Sequence, residues 1–136
     1  AGENLPVQVL VDGRAGAEAW GVVRFTGPVA RRAPVDVQAP AWITSVAEGA
    51  VVDAGQLTVE GIGTAFEGTL VYVLTDAEHR EITRGSVQAG ANGTFGPFSA
   101  TLEVTPGSYV VSVYPPDESG GEGPEPLADT KAFTVR

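Results

Sequence analysis

The sequence predicts an all-β chain: an immunoglobulin-like antiparallel β-sandwich of about seven strands, preceded by an N-terminal strand-bearing arm. Three observations carry this. Short runs rich in β-branched and aromatic residues recur along the 136 residues, and several alternate apolar with polar, the period of a strand with one buried face. The 18 Gly and 10 Pro fall largely between those runs, where turns need them. No useful stretch carries an apolar stripe at i, i+3, i+4 and i+7.

Residues 1–40 form the arm. Val7–Val11 and Gly21–Phe25 read as strands, with the small, flexible stretch Gly13–Ala19 between them. Gly27–Pro40 holds Pro28, Pro34, Pro40 and the pair Arg31-Arg32, and reads as an extended linker. These strands are too few for a domain. They are expected to pair with the sandwich, with sequence outside this chain, or with a neighbouring molecule.

Residues 41–136 form the sandwich. Trp42–Ser45 opens it, followed by Leu57–Gly61, whose Leu57 and Val59 face inward against Thr58 and Glu60. Thr69–Thr75 is apolar on both faces from Leu70 to Leu74, as a central strand would be. Asp76-Ala77-Glu78-His79 turns it back into Glu81–Gln88 as a hairpin. Gly90-Ala91-Asn92-Gly93 is a loop with an Asn-Gly turn signal. Phe98–Val104 presents Phe98, Ala100, Leu102 and Val104 on one face, and Ser108–Tyr114 presents Tyr109, Val111 and Val113. Thr105-Pro106-Gly107-Ser108 joins them as a tight turn, so the two runs read as a hairpin. Lys131–Arg136, with Phe133 and Val135 inward, closes the chain. No Cys pins the sheets, so apolar burial must hold them.

Composition removes several functions. With no Cys and one His, zinc sites, iron–sulfur clusters, thiol catalysis and disulfides are excluded or disfavoured. Seventeen acids against 8 bases, a net charge of -9, disfavour nucleic acid and anionic membrane surfaces. Hydrophobic residues at 43% and charged residues at 18% exclude a disordered chain. No apolar run is long enough to span a membrane. Residue 1 is Ala and Met is absent, so the chain is read as processed or as a fragment.

Four candidate sites follow. His79 is the one residue fitted to proton transfer near neutral pH. A triad with Ser86 or Ser99 lacks a Gly-x-Ser-x-Gly elbow, and His79 is read as a solvated turn residue. Glu67 is read as an acceptor for backbone N–H groups at a strand junction rather than as an acid or base. The loop Asp117–Asp129 carries five carboxylates and no cation. Its default reading is a solvated acidic loop. Asp117, Glu118, Glu122 and Asp129 are its candidate calcium ligands, although their spacing departs from an EF-hand. Calcium is the sole cofactor considered. Among the aromatics Trp20, Trp42, Tyr72 and Tyr114, Trp42 is assigned to core or linker packing. Tyr114, on the outward parity of its strand, is the better exposed ring for a ligand or partner.

A set of residues adds a family. Ile43-Thr44-Ser45 with Glu48–Val52, Leu57–Gly61, Thr64–Leu70 including Phe66-Glu67-Gly68-Thr69, Gly96-Pro97-Phe98-Ser99, and Asp129-Thr130-Lys131 together resemble the immunoglobulin-like domain associated with bacterial spore germination, the Gmad-two family. Upstream, Val9-Leu10-Val11-Asp12-Gly13 followed by Arg31 or Arg32 resembles the last hairpin of a GerMN domain. The resemblance implies a secreted or lipid-anchored envelope protein, and it brings no catalytic motif. The expected function is therefore a non-catalytic extracytoplasmic interaction or scaffolding module whose partner is an envelope protein or cell-wall polymer. An alternative is a subunit of a surface filament in which Val7, Val9 and Val11 complete the sheet of a neighbouring copy. A calcium- or carbohydrate-binding module ranks below both, and a hydrolase has almost no support.

Overall fold

The computed structural model describes residues 5–136, and contacts divide the chain into two compact units, one ending at Val37 and the other spanning Gln38–Arg136.

The first unit contains β1 (Leu10–Val11), β2 (Arg14–Ala15), β3 (Glu18–Ala19), β4 (Val23–Arg24) and the short helix α1 (Pro34–Val37). Asp12 and Gly13, at φ 50° and 76°, make the two-residue turn that pairs β1 with β2. Trp20 and Gly21, at φ 54° and 70°, turn β3 back onto β4, and the Val22 N–H donates to the Ala19 carbonyl at 3.3 Å. Val7 and Val29 exchange backbone hydrogen bonds, each 2.8 Å. The expected elements are corrected accordingly. Val7–Val11 is a bridge plus a two-residue strand, and Gly13–Ala19 supplies β2 and β3. The expected linker holds the Val29 bridge and α1. These strands pair with one another because positive-φ turns reverse the chain before it travels far. The expectation that they find partners only outside the arm is corrected to this extent: each pairs within it.

The second unit contains β5 (Ala41–Ile43), β6 (Ala50–Val52), β7 (Gly55–Ala65), β8 (Thr69–Asp76), β9 (Glu81–Gln88), β10 (Gly90–Ala91), β11 (Gly96–Val104), β12 (Gly107–Tyr114) and β13 (Asp129–Val135). One sheet has β7 at its centre, β11 antiparallel along it, β5 on Gly61–Gly63 and β10 parallel at its end. The other runs β6-β13-β12-β8-β9. The chain is an all-β, immunoglobulin-like sandwich.

The alternating rows meet between the sheets. Val59, Phe98, Leu102 and Val104 from one sheet pack against Leu70, Leu74, Val111, Val113, Phe133 and Val135 from the other. Val59, Leu70, Leu74, Val111 and Val113 are the largest fully buried side chains, and burying each contributes roughly 1.5–3 kcal/mol. Leu70 lies on an interior strand, as its two-sided apolar pattern predicts. Gly61 and Gly63 occupy inward positions of β7, so the Phe98 ring and Leu70 side chain rest directly on its backbone.

Four readings of the sandwich change, the first being that Gly90-Ala91 of the expected loop forms β10 against β7. Phe98–Val104 and Ser108–Tyr114 are not a hairpin: β11 pairs with β7, whereas β12 pairs with β8 and β13. Thr105-Pro106 carries the chain from one sheet to the other, and each inward row faces the opposite sheet instead of sharing one. Ala50–Val52 adds β6, a three-residue strand too short to show alternation. Trp42 stays out of the core, because Ala41 and Ile43 take the inward positions of β5, and its indole bonds instead to Ala39 of the expected linker.

Candidate functional site

The outer face of the β5-β7-β11 sheet carries an apolar row. Register places Trp42 beside Ile62 and Ile62 beside Pro97, all with outward parity. Trp42 is 46% exposed and Ile62 41%. The Trp42 indole N–H donates to the Ala39 carbonyl at 3.1 Å, which holds the ring in place. The next row is polar: Thr44, Glu60 and Ser99. With Gln88, Pro97 and Phe98 these residues line an open groove of about 460 Å³. Glu60 and Glu103 are the charged outward residues of the three strands, and no cation accompanies them. Ile62 and Pro97 were not singled out from the sequence. The signal was present, since Ile62 breaks the polar parity set by Thr58 and Glu60.

A second depression, about 250 Å³, lies beside Trp42 between Ile43, Leu127, Asp129 and Lys131. Here Asp129 has a structural task. Its Oδ2 accepts the Ile43 N–H at 2.7 Å, and its Oδ1 lies 3.5 Å from Lys131 Nζ. The carboxylate thus ties β13 of one sheet to β5 of the other.

The remaining calcium candidates lie apart from this tie. Asp117 accepts the Ser119 hydroxyl at 2.6 Å and N–H at 2.9 Å, plus the Gly121 N–H at 2.8 Å. These bonds, the Ser119 hydroxyl first, lower the Asp117 pKa. Glu118 and Glu122 are exposed. Among the described residues no group of three or more His, Cys, Asp or Glu side chains is arranged to hold a metal ion.

Tyr114 is half-buried rather than an exposed ring. Its hydroxyl accepts from Arg84 Nη1 at 3.1 Å, and Arg84 also grips Glu81 at 2.8 Å. Arg84 stands opposite Val73 and Tyr114 opposite Val71, so the guanidinium reaches across β8. That explains why outward-facing Val73 is only 8% exposed. The hydrogen bonds from Arg84 lower the Glu81 pKa.

His79 sits at φ 62° in the exposed β8–β9 turn. Asp76 organises that turn, accepting the Arg80 N–H at 2.9 Å, the Glu78 N–H at 3.0 Å and the Arg80 guanidinium at 2.7 Å. The Arg80 backbone bond is the first cause of its lowered pKa. Glu67 is exposed and does not close the β7–β8 junction. The Ala65 carbonyl does so, accepting N–H groups from Gly68 at 3.3 Å and Asn92 at 3.0 Å.

In the first unit, Val7 is exposed and Val9 and Val11 are half-buried. Val9 and Val11 line an apolar groove of about 390 Å³ with Leu10, Trp20 and Phe25. The structure therefore divides the candidate partner residues, three in the first unit and Tyr114 in the second. Val7 bridges Val29 and Val11 pairs with Arg14 within their unit, each on one edge of the strand.

Among solved structures, "The crystal structure of CopC from Methylosinus trichosporium OB3b" is similar at 17% identity and a TM-score of 0.47, covering 70% of this chain and 92% of that one. No curated protein matches. Residues 34–122 match the family model of the immunoglobulin-like domain of bacterial spore germination, Gmad2. That match spans well over half of the chain, which therefore belongs to this family.

Proposed function

We propose that this protein is a non-catalytic interaction or scaffolding module of a bacterial envelope protein, acting outside the cytoplasm. The observation that carries the reading is the outer face of β5-β7-β11: an in-register apolar row of Trp42, Ile62 and Pro97 beside Glu60, with Glu103 farther along β11 and no cation among the outward residues of the three strands. Such a face binds by area and charge rather than by chemistry. It fits a partly apolar segment of another envelope protein that carries Lys or Arg, which can stack on the Trp42 ring and pair with the carboxylates.

The test is capture of envelope proteins from membrane extracts, beside sedimentation with purified cell-wall polymer. It compares the intact chain with a Trp42→Ala, Ile62→Glu double variant. The expected result is retention from the extract that weakens with salt and is lost in the variant. No retention at physiological salt, or retention indifferent to the two substitutions, contradicts the reading. Sedimentation with the purified polymer alone makes the partner a glycan instead.

A further inference from the structure

Among the described residues, β11 is a long strand with a hydrogen-bonded neighbour on one side only. Glu60 of β7 spends its backbone on the β5 side: its N–H donates to Ser45 Oγ at 2.7 Å and its carbonyl accepts the Thr44 N–H at 2.8 Å. The neighbouring carbonyl of the same parity, Thr58, accepts the Ser45 hydroxyl at 3.3 Å. In an antiparallel ladder, residues facing each other without exchanging bonds both turn their N–H and C=O away. The register partners of Thr58 and Glu60 are Thr101 and Ser99. These two residues, and by alternation Pro97 and Glu103, therefore aim their backbone groups away from β7. Pro97, which has no N–H, fits that parity. Among the described residues no strand is hydrogen-bonded to that side of β11, although Gln88 at the end of β9 lies beside Pro97 and Ser99, and Pro97, Ser99, Thr101 and Glu103 are exposed.

The other edges are blunted. β5 and β6 are three residues long. β9 carries the Glu81–Arg84 pair and a register shift against β8 between Leu74 and Thr75. By contrast, β11 keeps unbroken register over nine residues, and its one charge is Glu103. Natural sheets normally suppress such an edge.

We infer that β11 is a self-pairing edge, and that two copies of this chain associate antiparallel about a two-fold axis through Thr101. Thr101 then faces its own copy, and Ser99 faces Glu103 on both sides of the axis. These three pairs exchange six backbone hydrogen bonds, about two per bonded pair. Like charges do not meet. The two Glu103 residues sit about 14 Å apart along the strand direction, at about 3.4 Å per residue, beyond the screening length of physiological salt. Centring on Ala100 instead would set Pro97 opposite Glu103 and forfeit a donor. Centring on Leu102 would run the pairing into the Thr105-Pro106 turn. Pairing about Thr101 makes a continuous sheet ordered β5-β7-β11-β11-β7-β5, so two Trp42 faces become one surface. This association does not depend on the envelope partner proposed above, and either can fail alone.

Sedimentation equilibrium of the full chain, over a concentration series at low and high salt, tests the pairing. Each copy carries -9, so the expected monomer–dimer equilibrium tightens as salt screens the net repulsion. That is opposite in sign to the capture of a basic partner. Thr101→Pro should abolish the dimer without changing the melting temperature much, because its N–H serves no bond to β7. Ser99→Glu, which sets two carboxylate pairs face to face, should weaken the dimer by about tenfold. Adding Glu103→Lys to that variant should restore it. A monomer at every concentration, a dimer indifferent to Thr101→Pro and Ser99→Glu, or failure of Glu103→Lys to restore pairing overturns the inference.

Discussion

At the residue scale, side chains first suspected of chemistry turn out to hold backbone. Asp129 is an acceptor for Ile43, a residue 6% exposed, and not merely one acid in a solvated loop. Asp129→Ala should cost about 1–3 kcal/mol in chemical denaturation by orphaning that N–H. Asp129→Asn, which keeps an acceptor oxygen, should cost less. Gly61 is fixed by packing, since a Cβ there would run into the Trp42 carbonyl and the Phe98 ring. Gly61→Ala should lose about 2–3 kcal/mol. Asp76 supplies part of the pH dependence, beside Glu81 and Asp117. Its folded pKa lies below its ordinary 3.8, so its contribution is present above that value and is lost as pH falls through the depressed one. Melting temperatures of Asp76→Asn should therefore fall less steeply than those of the parent on the acid side of pH 3.8. None of these roles was legible as such. Each depends on a contact between residues far apart in sequence or on a turn geometry that many sequences share.

At the element scale, parity was legible and pairing was not. The alternation of Phe98, Ala100, Leu102 and Val104 with Ser99, Thr101 and Glu103 gives the buried and exposed faces as the structure has them. The same holds for Tyr109, Val111 and Val113, and for Phe133 and Val135. Pro106-Gly107 announces a reversal, but nothing local distinguishes a turn within one sheet from a crossing between two. The arm was misread for a related reason: Asp12-Gly13 and Trp20-Gly21-Val22 are tight turns between two-residue strands too short to show alternation. Parity makes a direct prediction on β7 and β8. Leu74→Ala, at a fully buried inward position, should cost about 2–5 kcal/mol. Ile62→Thr, at an outward position, should change stability by about 0.5 kcal/mol or less. Equal losses in denaturant titrations would mean that the outer face is covered.

At the scale of the whole molecule, the composition divides unevenly between the units. Thirteen of the 17 acids and four of the 8 bases lie in Gln38–Arg136, so the second unit carries the entire net charge of -9. Among the described residues it also holds all of the buried hydrophobic core except Ala19. A chain of Gln38–Arg136 alone should therefore unfold in one cooperative transition, with a midpoint close to that of the parent. Fold class and family were legible because apolar periodicity and a few family segments extend over most of this unit. The binding face was less legible, since it appears only when register brings Trp42, Ile62 and Pro97 into one row across three strands. The central claim is that this face docks a basic envelope partner. Its most direct measurement is retention from envelope extract of the intact chain against the Trp42→Ala, Ile62→Glu variant, at low and physiological salt. The account predicts salt-sensitive retention that the variant loses while its melting temperature holds; equal retention of the two proteins, or none by either, would contradict it.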